Sequence, residues 1–79
     1  MSEQEERPAW ASVNSAAELG AFLRHVRERR DLSQDALADA LGIDRRYVYQ
    51  IESGAPTLYT RRLFAMLRAL DVRMEVRER

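Results

Sequence analysis

Two arginines, a tyrosine and a glutamine lie close together in this sequence and could form directed polar contacts. They are Arg45, Arg46, Tyr49 and Gln50. Arginine can donate paired hydrogen bonds to a phosphate or to guanine, and glutamine can pair with adenine. Tyrosine can pack against a thymine methyl group or along a nucleic-acid backbone. On a helix, residues four apart share a face, so one exposed helix face could present all four side chains.

The surrounding residues have the spacing of two short helices joined by a tight turn. Ala38 is small enough to let two helix axes approach closely, and Gly42 stands where a left-handed turn favours glycine. Val48 and Ile51 are three apart, which predicts that both bury one face of the second helix. The opposite face, with the four polar residues, would remain exposed. This pattern predicts a helix-turn-helix.

Capping residues predict where the two helices begin and end. Ser33 and Asp44 can each accept a hydrogen bond from a free amide of the first turn, and Gly54 can end the second helix. The sequence therefore predicts helices over about 34–41 and 45–53.

Two further helices are predicted on either side of this pair. Ser15 and Glu18 match a capping box at the start of a helix that runs to about Arg30. Another helix is predicted over roughly 61–70. Both have apolar stripes that are expected to face the core: Leu19, Phe22, Leu23 and Val26 in the first, and Leu63, Met66, Leu67 and Leu70 in the last.

The last residues change from helical to alternating periodicity. Val72, Met74 and Val76 alternate with charged residues, which is typical of a strand with one apolar face. The simplest partner is the same segment of a second copy, paired antiparallel across a two-fold axis. A frayed, disordered tail is the alternative. The resulting division is a flexible arm over 1–14, a helical DNA-binding domain over 15–71 and a dimerisation strand over 72–79.

Composition restricts the class of protein. The 79 residues, 46% of them hydrophobic, suffice for one small domain. The chain has no cysteine and a single histidine, so neither a metal nor another cofactor is expected. No apolar run could span a membrane and the first residues are acidic, which predicts a cytoplasmic protein. The net charge is zero, but arginines cluster around the second helix of the pair.

The segment from about Glu18 to Gly54 resembles the Cro and phage-repressor type of helix-turn-helix protein, also called the xenobiotic-response-element family. The resemblance rests on Arg27, LSQDALA from Leu32, LGI from Leu41 and IESG from Ile51. It implies an all-α, lambda-repressor-like bundle of four helices, here with a short C-terminal strand that pairs in a dimer. It also places Gln34 where it contacts a phosphate or supports a reading side chain, and it turns Arg45, Arg46, Tyr49 and Gln50 toward DNA.

The segment LRALDV followed by VRMEV is similar to the end of the Hip-type antitoxins, small dimeric repressors that neutralise a serine/threonine kinase toxin. The resemblance implies a homodimer bound to a pseudo-palindromic operator in double-stranded DNA, with such a kinase as a partner. A module that mainly holds the toxin, and a regulator without a toxin, remain alternatives. An enzyme is not expected, because no nucleophile, base and orienting group occur together.

Overall fold

The structure is a computed structural model that describes residues 7–79. These residues form a small, mostly helical domain with a two-stranded sheet. Its elements in chain order are β1 (Trp10–Val13), α1 (Ala16–Arg29), α2 (Gln34–Leu41), α3 (Arg45–Ser53), α4 (Leu58–Ala69) and β2 (Met74–Arg77).

Local hydrogen bonds explain where α1 and α4 begin. The Ser15 hydroxyl accepts from the Glu18 amide at 3.1 Å, as the predicted capping box requires. The Glu18 carboxylate, however, accepts from the Asn14 amide at 2.9 Å, one residue earlier than the box implies. The fourth helix begins at Leu58 and not near Arg61, because Thr57 caps it reciprocally with Thr60.

The sheet corrects two expectations about the chain ends. β1 and β2 pair antiparallel within one chain, with Trp10 opposite Arg77 and Val13 opposite Met74. The partner along this edge of β2 is therefore the same chain and not a second copy. The prediction of a flexible arm over 1–14 is wrong for Trp10–Val13, because Val13 alternates with exposed residues and buries its side chain fully. Residues 1–6 of that arm lie outside the described residues.

Helices α1 and α3 approach closely at a glycine that the sequence analysis did not single out. Gly20 is buried, and a Cβ there would lie 2.7 Å from the Glu52 carbonyl oxygen and closer still to that of Ile51. No larger residue fits without moving the backbone of α3. This contact fixes α3 against α1.

The core of the described chain is smaller than the apolar stripes predict. Its buried apolar side chains are Val13, Ala38, Val48 and Phe64. Several side chains that were predicted to face the core are instead exposed: Leu23, Ile51, Met66 and Leu70. The reason is that no other element of the described chain covers them. None of the helices within residues 7–79 has both the length and the apolar character needed to cross a membrane.

Candidate nucleic-acid interface

The turn between α2 and α3 has the predicted form. Ala38 is buried between the helices, and Gly42 adopts the left-handed conformation with φ of 68°. The Ile43 amide donates to the Ala38 carbonyl oxygen at 3.0 Å, which closes the turn. Ser33 caps α2 through the Ala36 amide at 2.9 Å. These local contacts set the angle at which α3 leaves the turn.

Helix α3 is fixed at both ends. The Asp44 carboxylate accepts from the Arg46 amide at 2.8 Å, and Gly54 ends the helix with φ of 69°. A Cβ on Gly54 would lie 2.8 Å from the backbone nitrogen of Ala17, so the residue is also needed for close packing on α1.

The buried line of α3 consists of Val48 and Glu52 rather than Val48 and Ile51. Val48 is buried as predicted, whereas Ile51 is more than half exposed. Residues four apart define this line, so the buried face is rotated relative to the sequence prediction. A carboxylate in the core requires a partner of opposite charge.

Arg27 of α1 supplies that partner. Its Nε and Nη2 donate to the two carboxylate oxygens of Glu52 at 2.6 and 3.0 Å, and its Nη1 donates to the Leu32 carbonyl oxygen. The hydrogen bonds from Arg27 lower the pKa of Glu52 below its ordinary value, against the opposing effect of burial. The same hydrogen bonds raise the pKa of Arg27. Both groups are therefore charged, and the pair ties α1 to α3.

Gln34 extends this pair to the protein surface. Its Nε2 donates to Glu52 at 3.1 Å, and its Oε1 accepts from Arg45 Nε at 3.4 Å. Arg45 Nε also lies 3.8 Å from a carboxylate oxygen of Asp35. The amide of Gln34 is therefore oriented by a buried carboxylate and in turn holds Arg45, which is a supporting arrangement.

The exposed side of α3 carries the other predicted contact residues. Arg45, Arg46 and Tyr49 line one shallow depression with Asp44. The Arg46 guanidinium lies 5.2 Å from the centre of the Tyr47 ring, which restricts its direction. Gln50 lies outside the depression, one turn beyond Arg46, and is exposed.

Two of the three predicted dimer residues face the interior of their own chain. Met74 and Val76 are half-buried opposite Val13 and Ala11 in the sheet, on the face that Val13 buries. Val72 precedes β2 and is exposed. The alternating pattern thus identified the strand, but its apolar face packs on the chain itself.

The sequence analysis missed three structural contributors to this interface: Glu52, Gly20 and Tyr47. The sequence gives only a partial signal for Glu52: it lies four residues after Val48 on the same helix face, but its partner Arg27 lies on α1, 25 residues earlier in the chain. Within residues 7–79, no set of histidine and acidic side chains is arranged to hold a metal ion.

Comparison with known proteins defines the class. The model of the helix-turn-helix domain family matches residues 18–79, so the chain belongs to that family. In such domains the second helix of the motif enters the major groove of DNA. The chain is also similar to the "Uncharacterized HTH-type transcriptional regulator y4mF" of Sinorhizobium fredii, with 30% identity over 64 residues, which cover 81% of this chain and 84% of that protein. No solved structure gives a significant match.

Proposed function

We propose that this protein is a sequence-specific transcriptional repressor that binds double-stranded DNA with α3 in the major groove. The observation that carries the proposal is the division of α3 into two faces. Val48 and Glu52 hold one face on the domain, whereas the side chains of Arg46 and Gln50 on the other face form no hydrogen bond within the described chain. Arginine and glutamine are the side chains that pair with guanine and adenine. The Sinorhizobium relative is named a transcriptional regulator, which supports a role in regulating transcription.

The contacts of α3 and α2 support different roles within this interface. Arg46 and Gln50 occupy the middle of the exposed face and read base edges. Arg45 is held by Gln34 at the edge of that face, where it contacts phosphate. Tyr49 packs against a thymine methyl group or along the sugar-phosphate backbone. The local arginines supply the positive potential that the zero net charge of the whole chain does not.

A two-fold dimer is part of this proposal, because one short helix offers too few base contacts for specific binding. β2 has a second edge that can pair with another copy. The Glu78 amide donates to the Ala9 carbonyl oxygen across the sheet, so by alternation the amides of Glu75 and Arg77 point toward the other edge. Two copies of β2 paired along this edge, with Val72 beside the contact, form a dimer that presents two α3 helices to a pseudo-palindromic DNA site. The half-sites would lie about 34–36 Å apart.

A titration against full palindromic and half-site DNA tests the proposed function. The sites come from selection on a random DNA pool, and fluorescence anisotropy at several salt concentrations measures binding. We expect tighter binding to the full site and a steep loss of affinity with salt, because phosphate contacts release counterions. Arg46→Ala should bind the selected site more weakly than the unaltered protein does, and Arg24→Ala, which removes the same charge from α1, is its control. Equal affinity for half and full sites would contradict the dimer, and failure to enrich any sequence would contradict specific DNA binding.

For the regulatory context we propose the antitoxin of a Hip-type toxin–antitoxin operon, repressing its own promoter. The supporting feature is the direct passage from α4 into β2, on which the resemblance of the C-terminal segment rests. The neighbouring open reading frame is the first test: a kinase-like protein that co-purifies with this chain would support the antitoxin. Absence of such a gene would favour a regulator without a toxin, and toxin binding without DNA binding would favour a pure interaction module.

A further inference from the structure

An apolar groove of about 450 Å³ opens between α1, α2 and α3. Its apolar lining includes Phe22, Leu23, Val26, Leu41, Ile43 and Ile51. Leu41 is 59% exposed and Ile51 is 53% exposed, although both belong to helices with a defined buried side. Side chains of this size are stabilised when they are removed from water, so an open groove is an apolar surface that a partner could cover.

Helix α4 carries a second unsatisfied apolar surface. Tyr59, Leu63, Met66 and Leu70 are spaced four, three and four residues apart and form one seam along the helix. Met66 is 61% exposed and Leu70 is 65% exposed, whereas Phe64 on the adjacent side of α4 is buried. We call these four residues the α4 seam. Their spacing is that of helices that pack side by side against another helix.

Both surfaces leave large apolar side chains exposed in the single chain. Leu41 and Ile51 in the groove, and Tyr59, Met66 and Leu70 on the α4 seam, are each more than half exposed. A contact that covered both surfaces would remove these side chains from water.

Most of the charge that lines the groove is neutralised within the chain. Arg27 is paired with Glu52, and Arg30 is paired with Glu78 at 3.1 Å, whereas Arg77 lines the groove without an ion pair in the described residues. An acidic partner would have to displace two of these carboxylates to reach Arg27 and Arg30. The α4 seam contains no charged residue, so it fits the groove without leaving a charge unpaired.

We propose that the α4 seam of each copy packs into the groove of the other copy, in a reciprocal two-fold dimer. The proposal rests on the dimer of the proposed function and adds a helical contact to its strand pairing. The contact between seam and groove then occurs twice in each dimer. It covers the groove and the α4 seam of both copies, so neither copy keeps an open surface for a third. The exposed face of α3, with Arg46 and Gln50, stays outside this contact.

Matched charge substitutions on α4 test the seam. Met66→Glu places a carboxylate within it, and Leu58→Glu places one on the same helix outside it. Both side chains are 61% exposed in the single chain, so neither substitution should unfold the protomer. We expect Met66→Glu to weaken dimerisation at least about 100-fold in sedimentation equilibrium, because each dimer contains the damaged contact twice. Leu58→Glu should stay within about threefold of the unaltered protein. Equal dimerisation of the two variants would overturn the proposal.

Disulfide cross-linking tests which surfaces meet, since the chain has no cysteine of its own. Met66→Cys and Leu41→Cys are made as separate single variants, mixed in equal amounts and oxidised. We expect a mixed cross-linked dimer that neither variant forms alone. Self-linking of Met66→Cys would show that the two α4 helices pair with each other, which overturns the proposal. Absence of cross-links in a protein that remains dimeric would equally overturn it, and would leave the groove to a different partner.

DNA binding separates failure of this inference from failure of the proposed function. Met66→Glu should bind half-site DNA as the unaltered protein does and lose the advantage of the full site, because α3 is untouched. Full-site binding by Met66→Glu at normal affinity would overturn the reciprocal dimer while leaving DNA binding intact. If the unaltered protein binds no DNA but the mixed cross-link forms, the proposed function fails and the reciprocal dimer stands.

Discussion

Replacement of Glu52 with glutamine is expected to destabilise the fold strongly, because Arg27 would then face no charge in a buried site. The side chains of Arg27 and Glu52 are 11% and 5% exposed. Removing one partner of a buried ion pair costs about 3–5 kcal/mol. The expected cost here is about 3 kcal/mol, the lower limit of that range, because Arg27 keeps its hydrogen bond to Leu32. A domain of this size has roughly 4–12 kcal/mol of stability in total, so the loss is large.

Thermal unfolding followed by circular dichroism at neutral pH measures this effect. A loss of about 3 kcal/mol should lower Tm by about 12–24 °C in a domain of this size. Glu28→Gln is the matched control, since Glu28 pairs with Arg24 at 2.7 Å but both side chains are more than half exposed. Its expected cost is below about 0.5 kcal/mol. Equal shifts for the two variants would refute the argument that burial makes the Arg27 pair important.

The pH dependence provides an independent check of the same pair. Hydrogen bonds from Arg27 hold the pKa of Glu52 below its ordinary value of 4.5. The folded protein therefore binds this proton less tightly than the unfolded chain does. The stabilisation that ionised Glu52 gives the folded state is present above the pKa of Glu52 in the unfolded chain. It is lost as pH falls through the pKa of Glu52 in the folded protein. The difference in Tm between the unaltered protein and Glu52→Gln should be full at neutral pH and shrink in acid below about pH 4. A difference that persists unchanged in acid would contradict the charged pair.

Three further predictions concern helix packing, base reading and the strand edge. Gly20→Ala should lower the free energy of unfolding in urea by about 1–3 kcal/mol, because the added methyl group would overlap the α3 backbone, and this outweighs the higher helix propensity of alanine. A higher free energy of unfolding would contradict the close contact. Arg46→Ala and Gln50→Ala should each weaken specific DNA binding by about 1–3 kcal/mol and broaden the base preference in site selection, whereas Gln34→Ala should weaken binding to all sequences alike. An unchanged consensus site for the first two variants would show that other residues read the bases. Glu75→Pro removes an amide from the free edge of β2 and should weaken dimerisation in sedimentation equilibrium, whereas Glu75→Ala should not; equal behaviour would contradict pairing there.

The motif could be predicted because its determinants act over short distances along the chain. The side chains of Ser33 and Asp44 each accept a hydrogen bond from an amide two or three residues later in the chain, and both predicted hydrogen bonds are present in the structure. Gly42 and Gly54 end their helices in the left-handed conformation that few other residues adopt without strain. A local signal of this kind does not depend on how the rest of the chain folds.

The sheet and the buried pair could not be predicted because they depend on contacts between distant segments. Val13 stands in a stretch that was predicted to be a flexible arm, and only its pairing with Met74 near the other end of the chain makes it a core residue. Glu52 appears as a surface charge until Arg27, on another helix, is placed beside it. Periodicity gives no information about such partners.

The exposed apolar residues show a further limit of periodicity. The spacing of Met66 and Leu70 indicates that a core should cover them, yet the described chain leaves both exposed. A helical period predicts that a side chain is to be buried, but it does not specify which chain supplies the cover. The same holds for Ile51, which was expected to help hold α3 and instead faces an open groove. In the proposed dimer, which would place two reading helices at a fixed spacing, this apolar set adds a contact to the strand pairing of β2, because the polar face of α3 is committed to DNA in the proposed function.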